Sequence, residues 1–109
     1  MDELELHYAL HLLPAGRLPF KRWRFELWHG PRLLVSGWRT TDEHAERALG
    51  TIAARVAHRM HGLHLLRPEA ATVSRPLRNG GVARVESGTV SCVLVPLSDA
   101  GALPARSAA

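Results

Sequence analysis

The chain has 109 residues, 46% apolar and 22% charged, with a single cysteine and a net charge of +4 at neutral pH. Such a composition folds as one globular domain and excludes a disordered polyelectrolyte, and no stretch approaches the ~20 consecutive apolar residues of a membrane-spanning helix. The opening MDELEL is acidic, so no secretory leader is expected, and a lone Cys92 fits a reducing cytoplasm better than a disulfide-bonded setting.

Leu4, Leu6, Tyr8, Leu10 and Leu12 alternate with Glu3, Glu5, His7, Ala9 and His11, the period of a strand with one buried face. Pro14, Gly16 and Pro19 break the pattern. A second strand is predicted from about Lys21 to Trp28 and a third from Arg32 to Trp38, joined by a Gly30-Pro31 turn. A two-residue loop there pairs Trp28 with Leu33 and Trp23 with Trp38. Trp23, Phe25, Leu27, Leu34 and Trp38 then share one face, and Arg24, Glu26, Trp28, Leu33 and Val35 the other. Apolar surface thus falls on both sides of the hairpin.

Thr40 with Glu43 three residues on reads as a helix start. The helix is expected to run to about His61, with Gly62 as its stop. Ala45, Ala48, Leu49, Ile52, Val56 and Met60 form its apolar stripe, whereas Glu43, Arg47, Thr51, Arg55, His58 and Arg59 lie off it. Leu63 to Gly81 is less regular, with a short strand expected at Leu63–Leu66 and a helical turn starting at Pro68. A last hairpin follows, from Val82 to Glu86 and Thr89 to Val95 around Ser87-Gly88. Pairing Val85 with Val90 and Ala83 with Cys92 puts those side chains on one face with Leu94, and Val93 and Val95 on the other.

The expected fold class is α+β: an antiparallel sheet of about five strands with one long helix packed on one face, in the order β-β-β-α-β-β. Residues 1–97 form the single domain, and residues 98–109 are expected to be a disordered tail. One helix covers one sheet face. Trp28, Leu33, Val35 and Val93, with Val95, are therefore expected to need cover from elsewhere, either a partner or the 63–81 segment folding back through Leu65, Leu66, Val73 and Leu77.

Residues able to carry chemistry are sparse. His58, His61 and His64 have a spacing that suits imidazole ligands, but no cysteine or carboxylate completes a tetrahedral set. Ser91 and Cys92 lie within a strand, with no nucleophile elbow, and no phosphate loop is present. No catalytic residue, metal or cofactor is expected, and the protein is read as a non-enzyme. Charge is distributed unevenly, with seven arginines and one acid (Glu69) between Arg47 and Arg84. Arginine bias is what a G- and C-rich genome would produce, yet it also suits phosphate recognition.

The leading expectation is a small cytoplasmic association module, a homodimer or an accessory subunit, that binds a protein partner through Trp28, Leu33, Val35 and Val93. The alternative is a nucleic-acid-binding regulator that uses Arg47, Arg55, Arg59, Arg67, Arg75 and Arg78. No membrane partner is expected.

Overall fold

The computed structural model describes residues 3–62 and 70–97. Strands β1 (Leu4–Leu12), β2 (Trp23–His29) and β3 (Arg32–Arg39) lead into helix α1 (Asp42–Met60). Then come β4 (Thr72–Val73), a 3₁₀ turn (Leu77–Asn79), β5 (Ala83–Ser87) and β6 (Val90–Pro96). All six strands form one sheet in the order β3-β2-β1-β6-β5-β4. Strands β1–β2–β3 and β4–β5–β6 are two antiparallel meanders, and β1 and β6 join them as a parallel pair.

Among the described residues the class is α+β with one helix, as expected, but the sheet is mixed and six-stranded rather than antiparallel and about five-stranded. Local periodicity marks strands and hairpins. It does not say which distant edges meet, and here Leu4 lies opposite Cys92. Strand β4 has only two residues, too few to leave a period of its own.

The core lies between α1 and one sheet face. Leu6 and Tyr8 of β1, Phe25 and Leu27 of β2, Ala83 and Val85 of β5, and Cys92 and Leu94 of β6 are all buried there. From the helix come Ala45, Leu49, Ala53, Val56 and Ala57. The expected stripe is therefore rotated: Met60 is exposed, and small residues occupy the line of closest approach. A methyl group at Gly50 would sit 3.0 Å from Val73 Cγ2, so helix and sheet come together nearly backbone to side chain at that point. His58, expected outside, is turned inward with its Nε2 3.0 Å from Ser87 Oγ.

The helix start is one residue later than expected. Thr41 is the N-cap and its Oγ1 accepts from His44 N at 3.1 Å. At the other end His61 caps and Gly62 has φ +76°, the left-handed stop expected of it.

Two hairpins depart from their expected registers, with different consequences. In β5–β6 the turn is Gly88-Thr89, so Ser87 faces Val90 and Val85 faces Cys92. Partners move by two, and every side chain keeps its face. In β2–β3 a bulge intervenes: Trp28 faces Leu33, but Leu27 faces Val35 and Arg24 faces Trp38. That one-residue slip puts Leu34 and Val35 together against the core and sends Trp38 to the opposite side.

Glu46 on α1 fastens the segment after β4, accepting from Leu77 N at 2.6 Å, Arg78 N at 3.3 Å and Arg78 Nη1 at 2.8 Å. Tyr8 Oη donates to Gly81 O at 2.8 Å from the sheet side. The expected strand at 63–66, the turn starting at Pro68, and the 98–109 tail lie outside the described residues.

Candidate functional site

The sheet face away from α1 is built in transverse rows. In the first, Leu33 of β3 lies opposite Trp28 of β2, Trp28 opposite His7 of β1, and His7 opposite Val95 of β6. Val82 precedes Ala83, which pairs with Leu94, so it extends the row beside Val95. Leu33 is 41% and Val82 50% exposed, while Trp28, His7 and Val95 between them are half-buried. The row is thus an apolar band across five strands with one imidazole at its centre. His7 Nδ1 lies out of solvent and has no hydrogen-bond partner.

Charged side chains border the band on both sides and are held in place. Glu26 accepts from Trp28 Nε1 at 3.0 Å and from Arg24 Nε at 3.1 Å, which fixes the indole against its own strand. On the other side Val93 lies between Glu5 and Arg84. Arg84 bridges Glu3 at 2.6 Å and Glu86 at 3.2 Å, and Glu3 also accepts from Ser91 Oγ at 3.0 Å. Beyond Arg24, Trp38 stacks on Phe20 with ring centroids 5.9 Å apart, and both are exposed.

Of the four expected contact residues, Trp28, Leu33 and Val93 lie on this open face. Val35 does not: the bulge turns it to the helix side, where it packs on the core. Val73 and Leu77, expected as a cover for the open face, also lie on the helix side, Val73 against Gly50 and Leu77 in the core. Leu65 and Leu66 lie outside the described residues. His7, Phe20 and Trp38 were missed as members of this face. The alternation of β1 already put His7 opposite Leu6 and Tyr8, and that was the available signal.

The arginines of the alternative reading are divided among separate places. Arg47, Arg75 and Arg78 line a cleft of about 480 Å³ between α1 and the β4–3₁₀ segment, together with Glu43 and Glu46. Arg78 is engaged there, 2.8 Å from Glu46 and 3.8 Å from Glu43. Arg55 and Arg59 face a different groove, beside β3. Arg67 lies outside the described residues.

The histidine run is also pulled apart. His58 is buried on Ser87, His61 is exposed at the helix end, and His64 lies outside the described residues. Among the described residues no group of three or more His, Cys, Asp or Glu is placed to hold a metal ion. The Cys92 thiol is buried, and burial pushes its pKa from 9.0 to about 11, with the Glu3 carboxylate adding to the rise. It is a protonated core residue at neutral pH rather than a nucleophile.

No described helix is long and apolar enough to cross a membrane. No family model, curated protein or solved structure matches the chain.

Proposed function

We propose that the protein is a non-catalytic, cytoplasmic association module that docks through the open sheet face. The most economical partner is a second copy of itself. The observation that carries this reading is the transverse row Leu33–Trp28–His7–Val95, apolar except for one half-buried imidazole, on a face no described element covers. A two-fold axis through such a band makes the patch its own complement. Four strand spacings by about seven residues give a face of about 19 by 23 Å, roughly 440 Å² in projection. That is of the order of the ~800 Å² each partner contributes to a standard interface. A different protein on the same band, with this chain as accessory subunit, is the second form of the reading.

The nucleic-acid alternative has less support, because its arginines are split between two grooves and Arg78 is neutralised by Glu46. Sedimentation velocity at micromolar concentration tests the proposal. The protein should run as a dimer, Trp28→Ala and Val95→Lys should run as folded monomers, and Arg55→Gln with Arg59→Gln should leave the dimer intact. A strictly monomeric protein that also binds no apolar dye ends the reading.

A further inference from the structure

On the other side of the sheet, at its β3 edge, a groove of about 340 Å³ runs between β3 and α1. Its floor includes Leu34, Val35 and Ile52, and its rim carries Arg32, Arg55 and Arg59. No acidic residue among those described lines it. Arg24, Arg78 and Arg84 each have a carboxylate partner, but the side chain of none of the three rim arginines is bonded to a described residue. Arg55 and Arg59 stand one turn apart on the same side of α1, so they repel each other mildly. The bulge at Leu34 builds this floor by turning two successive apolar side chains toward the helix.

We infer that this groove docks an acidic, extended peptide segment that carries apolar side chains. Three guanidinium groups without a carboxylate partner among the described residues select carboxylates, which Arg binds in bidentate fashion. The apolar floor selects a ligand with hydrophobic side chains and disfavours a bare inorganic anion. Among the described strands β3 has β2 as its only neighbour, so no described element pairs with its outer backbone edge, which can take an added strand. A second copy of β3 is a poor occupant of that edge. Antiparallel self-pairing brings Arg32 of one copy toward Arg39 of the other, and like charges across a pair destabilise it. A nucleic-acid strand is disfavoured as well, since no aromatic ring among the described residues lines the groove for base stacking.

The probe is a fluorescently labelled peptide of about twelve residues repeating Glu-Glu-Leu-Leu, which shows an acid and a leucine alternately on each side when extended. Fluorescence anisotropy at low salt should show saturable binding that weakens as salt rises. Arg55→Gln with Arg59→Gln should weaken it by roughly tenfold or more, equivalent to ~1.4 kcal/mol, with the melting temperature unchanged because both side chains are exposed. Ile52→Ala should weaken it through the floor. The matching Lys-Lys-Leu-Leu peptide should not bind. The inference is overturned by absence of saturable binding, by an equal loss in Arg47→Gln with Arg75→Gln, or by labelled oligothymidylate binding more tightly through the same arginines.

Discussion

Replacing Gly37 with alanine reads out the register that decides which aromatic faces which side. A Cβ at position 37 would lie 2.8 Å from Phe25 Cζ, 3.2 Å from Cε1 and 3.5 Å from Cε2. Non-bonded carbons settle at about 3.5–4.0 Å, so the ring tip must retreat by roughly 0.7 Å. Phe25 is 2% exposed and its ring carries the Arg39 guanidinium 5.3 Å from its centroid, so retreat means compressing packed neighbours. Overpacking of this kind costs about 1–3 kcal/mol. Relieving the conformational freedom of glycine returns about 0.5–1 kcal/mol. The net expectation is a loss of up to about 2.5 kcal/mol, measured as a lower urea midpoint at unchanged slope. In a Phe25→Leu background the ring tip is gone, and the same change should be neutral or stabilising, giving a coupling of about 1–3 kcal/mol. Without the bulge, Gly37 would face Arg24 on the open side and Ser36 would lie over Phe25. A Gly37→Ala protein as stable as the parent in both backgrounds therefore refutes the bulged register, returning Val35 to the open face and Trp38 to the helix side.

The other expectations concern the clasp on the 3₁₀ turn and the buried thiol. Glu46→Ala strips the acceptor from Leu77 N and Arg78 N and should cost about 1–3 kcal/mol in denaturant unfolding. Glu43→Ala, which removes only an exposed contact of 3.8 Å to Arg78, should cost well under about 1 kcal/mol, and equal losses would show that the backbone bonds to Glu46 do not matter. Because the fold disfavours the Cys92 thiolate, its contribution is fully present below pH 9.0 and is lost as the pH rises through about 11. The parent should accordingly lose stability over that interval faster than Cys92→Ala, and its thiol should resist iodoacetamide at neutral pH until the chain unfolds. Parallel pH profiles for the two proteins would contradict this.

Much of the architecture was legible in local pattern. Leu4 to Leu12 alternates because one side of β1 is buried, Thr-Asp-Glu opens the helix because free backbone N–H groups need acceptors, and Gly62 closes it because φ must turn positive. The face assignments of Val93 and Val95 survived a wrong pairing, since a shift of two residues preserves the pleat. What depended on distance or on single-residue slips was not legible. The bulge at Leu34 moved Val35 and Trp38 to opposite sides, because one inserted residue inverts every side chain beyond it. His58 looked like a surface residue until Ser87, 29 positions away, came within 3.0 Å to receive it. The β1–β6 pair, which makes the sheet mixed and puts His7 between Trp28 and Val95, joins the two ends of the fold. Periodicity records which way each side chain must face, whereas the choice among distant edges is made only when the whole chain packs, and that choice assembled the open face.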